Sequence, residues 1–141
     1  MRTLLSFLLL STACSAAPSA AFWVALHRVE SGGRLGRVSW GEHRGPLQIS
    51  RAYWQDSGVG GSWSDCDDLE KAKLVVEGFM KRYVPKAWAE GDVQTLARVH
   101  KGGPRGHRKE ETLAYGRRVE AIAYEHNKQT ASVLWGKAGV R

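Results

Sequence analysis

The chain of 141 residues predicts a mainly α domain of the α+β kind, with a small turn-rich or hairpin insertion between its first two helices. Two observations carry that expectation. Apolar residues recur at helical spacing in separate stretches near 22–29, 69–83, 93–100 and 113–123, each bounded by cap residues, glycines or a proline. Between the first two of these lies RLGRVSWGEHRGP (34–46), with three glycines, a proline and only short extended pieces. The composition, 43% hydrophobic and 25% charged, is near the globular average, so a single domain with a sizeable buried core is expected.

Residues 1–21 stand apart from that domain. Arg2 gives a positive start, Leu4 to Leu10 is an apolar run, and the small-residue stretch STACSAAPSAA follows, which is the order of a secretory signal. A cut after Ala21 makes Phe22 the start of a mature domain over 22–141. The second choice is a lipoprotein-type exit at Cys14 behind Ser11-Thr12-Ala13. The expected location is therefore secreted, extracellular or periplasmic. No apolar stretch of membrane-spanning length occurs beyond this segment. Its removal takes Arg2 and no acid, so the formal charge falls from +7 to +6. It also leaves Cys66 alone, read as a small half-buried residue, with Asp65, Asp67 and Asp68 disfavouring its thiolate.

The elements follow in order. Phe22, Ala25, Leu26 and Val29 mark a first helix that Gly32-Gly33 stops, which puts Glu30 on its last turn. LQISRAYW (47–54) is expected to be a short helix ended by the Gly58–Gly61 cluster. Asp67 or Asp68 caps a long helix with a face of Leu69, Ala72, Val76, Phe79, Met80 and Tyr83, closed by Pro85. Asp92 caps another through Val93, Leu96, Ala97 and His100. KGGPRG (101–106) breaks the chain, and a last helix runs from near Thr112 toward Trp135.

Glu30 is the first candidate for chemistry. The negative end of the helix dipole and the adjoining apolar face both disfavour its ionised form, whereas Arg28 and Arg34 could hold it as a plain surface pair. A carboxylic acid kept protonated is what a glycosidase needs to protonate a leaving oxygen. The motifs around it point the same way. Glu30-Ser31-Gly32, Gly45-Pro46-Leu47-Gln48-Ile49, Tyr53-Trp54-Gln55-Asp56 and His100-Lys101-Gly102-Gly103-Pro104-Arg105-Gly106 occur in that order. Together, over about 24–119, they resemble the invertebrate-type (destabilase-like) lysozymes.

The resemblance implies a lysozyme-like fold and a muramidase with Glu30 as the acid. It also exposes two departures. The family is rich in disulfides and this chain is not, which implies a cysteine-poor branch. The family's second carboxylate is an aspartate about a dozen residues after the glutamate, where this chain has Glu42. Glu42 is read either as that second carboxylate or as a solvated turn residue, with Asp56, otherwise a structural pin for the turn at Ser57-Gly58, as the fallback acid. Gln48, Tyr53 and His100 are expected to line the cleft, and Trp40, in the loop beside Glu42, to stack on a sugar ring. Lys101 stands where the family has asparagine.

A retaining glycosidase places two carboxyl groups about 5–5.5 Å apart. Glu30 alone leaves a different route, in which the sugar's own 6-hydroxyl attacks and gives a 1,6-anhydro product, as in lytic transglycosylases. A third reading is a domain that only binds glycan or disrupts membranes. The expected partner is peptidoglycan on an anionic wall surface, matched by the basic charge. Nucleic acid is disfavoured because the lysines and arginines are dispersed. No cofactor is implied, and the His100–His107 pair offers no third metal ligand, so no metal site is expected.

Overall fold

The computed structural model describes residues 17–138. The apolar run of the expected export signal and Cys14 lie outside the described residues. Helix α1 (Ala20–Ser31) starts at Ser19 and ends at Gly32, whose φ of 67° gives the left-handed C-cap. It begins two residues before the expected start of the mature domain, and Ala21 is already in the core.

The insertion between the first two helices is a three-stranded antiparallel sheet of two-residue strands, β1 (Ser39–Trp40), β2 (His43–Arg44) and β3 (Ile49–Ser50), in the order β1-β2-β3. Trp40 pairs with His43, so Gly41 and Glu42 form a two-residue hairpin turn. Gly41 supplies the positive φ, 63°, that such a turn requires at its first position.

Two sequence expectations need correction here. LQISRAYW is not one helix: Leu47 is buried, Ile49-Ser50 is β3, and only from Arg51 does α2 (Arg51–Ser57) begin, with the Ser50 hydroxyl accepting from Tyr53 N at 3.2 Å. The cause is backbone: Gly45 (φ 76°) and Gln48 (φ 50°) turn the chain back so that β3 can pair with β2. Pro85 does not simply close the long helix. Asp68 caps α3 (Leu69–Tyr83), and Pro85 then opens a short α4 (Pro85–Glu90) at its first position, where proline's missing N–H costs nothing. Asp92 caps α5 (Val93–Gly102) by accepting from Thr95 N at 3.0 Å. Two 3-10 turns, Gly106–Arg108 and Glu110–Thr112, lead into α6 (Leu113–Ala138).

The core gathers Phe22 and Leu26 of α1, Leu47 and Ile49, Val76, Phe79 and Met80 of α3, Leu96 and Val99 of α5, and Val119 of α6. α6 packs along both α1 and α5, and α2 lies on α3. That arrangement sets the C-terminal end of α1, the C-terminal half of α5 and the start of α6 around one point. Cys66, in the 3-10 turn Trp63–Asp67, is fully buried rather than half-buried, a free thiol raised to about 11, first by burial and then by Asp65 and Asp67. The hairpin is locked onto that turn. Arg44 forks onto Asp67 at 2.9 and 2.7 Å, and a Cβ on Gly45 would sit 1.8 Å from the Cys66 carbonyl oxygen.

Candidate active site

Glu30 lies on the last turn of α1, its side chain 14% exposed. Two residues from other helices meet its Oε1. Tyr115, near the start of α6, donates its hydroxyl to it. His100, on the last turn of α5, brings Nε2 to 3.7 Å.

The protonation pattern of His100 follows from its partners. Nε2 lies 3.0 Å from the Leu47 carbonyl, which can only accept, so Nε2 carries the proton; Nδ1, 3.2 Å from the Tyr53 hydroxyl, then accepts from that phenol. Burial holds the His100 pKa below its usual value, against the opposing pull of Glu30. The ring is therefore neutral near pH 7, and its approach to Glu30 is dipolar rather than an ion pair. Both tyrosines are raised above the ordinary phenol value, by burial first and then by the nearby Glu30 charge, so both keep their protons as donors. The Tyr53 ring stacks on Phe79 with centroids 3.8 Å apart, which fixes the hydroxyl's aim.

Two adjoining cavities open beside this cluster. The inner one, about 220 Å³, is walled by His100, Tyr53, Gln48, Asp56, Lys101 and Pro104 among others. The outer one, about 740 Å³, is walled by Glu42, Arg51, Gln55 and Trp63. His43, Ser50 and Ala52 line both, so the two adjoin over the sheet and α2. The smaller cavity is the one next to the chemistry, because it holds His100, which touches Glu30.

The sequence candidates divide accordingly. Glu30, His100 and Tyr53 are brought together. Gln48 is in the inner wall, held at a φ that only glycine takes freely, with its side-chain amide donating to Gly45 O at 2.8 Å and Val38 O at 3.2 Å. Its nitrogen shapes the loop. Asp56 also reaches the inner cavity, but its Oδ2 accepts from the Tyr83 hydroxyl at 3.1 Å and its carbonyl from Arg82 at 3.0 Å. Glu42 is exposed on the hairpin turn and faces the outer cavity. Trp40 is half exposed on β1, with the Arg34 guanidinium 5.8 Å above its ring. No group of three or more His, Cys, Asp or Glu suited to a metal ion occurs among the described residues.

Sequence reasoning passed over Tyr115. Tyr115 lies 85 positions after Glu30, and contacts at that distance are not periodic in sequence. Lys101, where the resemblance has asparagine, holds its ammonium 5.7 Å over the Tyr115 ring.

A mainly helical domain with a three-stranded sheet over a cleft, and a half-buried carboxyl group next to the His100 that walls that cleft, defines a lysozyme-like fold of the α+β kind. The family model Destabilase matches residues 28–122, and the chain belongs to that family. It is similar to lysozyme 1 of Crassostrea virginica, 40% identical over 98 residues, 66% of this chain and 53% of that protein. It is similar also to a lysozyme of Magallana gigas, 35% identical over 113 residues, 77% of this chain and 82% of that one. The chain thus spans about half the length of the Crassostrea virginica relative. Among solved structures, that of Aeromonas hydrophila PliI in complex with Meretrix lusoria lysozyme matches with a TM-score of 0.60 and 36% identity, over 74% of this chain and 90% of that one. Tapes japonica lysozyme matches with a TM-score of 0.58 and 32% identity, over 74% and 92%. No helix among the described residues is long and apolar enough to cross a membrane.

Proposed function

We propose that this protein is an exported muramidase that hydrolyses the β-1,4 bond between N-acetylmuramic acid and N-acetylglucosamine in peptidoglycan. The observation that carries the reading is Glu30 itself, a half-buried carboxyl at a helix C-terminus, met by Tyr115 and His100 beside an open cleft. Because the Tyr115 hydroxyl occupies Oε1, the transferable proton belongs on Oε2. In the first step that proton passes to the glycosidic oxygen as the C1–O bond breaks, and the aglycone leaves neutral. The developing oxocarbenium charge is met by Glu42, one methylene longer than the family's aspartate and placed at the outer cavity. Water then adds at C1, giving its proton back to Glu30.

The basic charge favours approach to an anionic wall, and the export segment of residues 1–21 delivers the protein there. Mass spectrometry of digested purified peptidoglycan tests the reading. Muropeptides with reducing ends are expected; 1,6-anhydro ends would replace hydrolysis by the single-acid route, and released cross-links without glycan cleavage would replace it by isopeptide chemistry.

A further inference from the structure

We infer that Tyr115 is a positioning residue for the acid, fixing which Glu30 oxygen delivers the proton; the inference rests on the reading of Glu30 as the glycosidic acid. A glutamate on the last turn of a helix has three side-chain torsions, and the two carboxyl oxygens are chemically equal until something distinguishes them. Here α1 ends at Gly32, so the turn that holds Glu30 has no helix beyond it to restrain the side chain. What restrains it comes from α6: the Tyr115 hydroxyl donates to Oε1.

The donor is itself held. The Lys101 ammonium stands over the Tyr115 ring face at 5.7 Å, a cation–π contact that favours this ring placement. Raised above the ordinary phenol range, Tyr115 donates throughout any working pH. His100 cannot take over this role, because its Nε2–H is given to Leu47 O and stands 3.7 Å from Glu30. Oε1 is thus an acceptor in both protonation states of the acid, and Oε2 is left to bear the proton that leaves and later returns. A glutamate without this bond samples other rotamers, and only a fraction of them present the proton to the bond being broken.

The test is Tyr115→Phe, which removes one oxygen and keeps the ring under Lys101, assayed on soluble, un-cross-linked glycan strands alongside Glu30→Gln. The expected result is a kcat lowered about tenfold to a hundredfold with KM within twofold, on a protein of native circular dichroism. An unchanged kcat, or a loss confined to KM, overturns the positioning role. The two readings separate cleanly. An active Glu30→Gln sinks the acid assignment, whereas an inactive Glu30→Gln beside a fully active Tyr115→Phe sinks the positioning role alone. A second measurement does not depend on Tyr115→Phe folding. In the unsubstituted protein the Tyr115 hydroxyl proton should give a slowly exchanging, downfield NMR resonance that disappears in Glu30→Ala; a Tyr115 hydroxyl exchanging at solvent rates contradicts the proposal.

Discussion

At the scale of the residue, the cleft holds two further carboxylates with unlike surroundings. Asp56 is bonded to Tyr83 and walls the inner cavity, while Glu42 sits exposed on the hairpin turn against the outer one. If Glu42 meets the developing cation, Glu42→Gln loses activity by two orders of magnitude or more, at about 1.4 kcal/mol of barrier for each tenfold. Asp56→Asn then retains most of the turnover, and its cost appears in melting temperature through Tyr83. The reverse pattern in steady-state rates would move the role to Asp56. His100 gives a pH prediction. Its folded pKa is depressed, so below the unfolded value of 6.5 the unfolded chain binds a proton that the folded chain refuses, and stability falls as pH drops through that window. An NMR titration should place the His100 midpoint below 6.5; a midpoint above it would mean that Glu30 outweighs burial. Glu30, His100 and Tyr53 were legible in the sequence because each sits inside a short motif. Tyr115 was not, because only the docking of α6 on α1 brings it near.

At the scale of the element, caps and breakers read well: Gly32, Asp68 and Asp92 end or begin helices where their chemistry says they should. The stretch 47–54 did not, since its apolar residues suit a helix, and two positive-φ positions, Gly45 just before it and Gln48 within it, redirect its start into a strand. The burial of Cys66 was also illegible among three aspartates, because it depends on the hairpin folding over the turn. That seam makes two contrasting substitutions informative in chemical denaturation. Gly45→Ala drives a Cβ into the Cys66 carbonyl at a φ of 76° and should cost about 3 kcal/mol or more. Cys66→Ser puts a hydroxyl where an apolar thiol is fully buried and should cost about 1–3 kcal/mol, while Cys66→Ala costs less than a large apolar truncation would. A silent Cys66→Ser would place that side chain in contact with water.

At the scale of the molecule, packing holds the site together: a core shared by α1, α3, α5 and α6 carries the three residues of the acid cluster, His100 and Tyr115 lying 70 and 85 positions from Glu30 in sequence. The formal charge of the mature domain, +6, comes from lysines and arginines dispersed along the sequence, so adsorption to purified wall should weaken steadily as salt rises and the screening length shortens from about 10 Å at 0.1 M toward about 3 Å at 1 M. Binding indifferent to salt would assign adsorption to the cleft instead. The central claim, that Glu30 is the acid of a glycan-cleaving cleft, is tested most directly by turnover of purified peptidoglycan with Glu30→Gln. The change keeps size and shape and removes only the transferable proton. The account predicts a folded protein whose rate is lower by a hundredfold or more; a folded Glu30→Gln that clears peptidoglycan at the unsubstituted rate would contradict it.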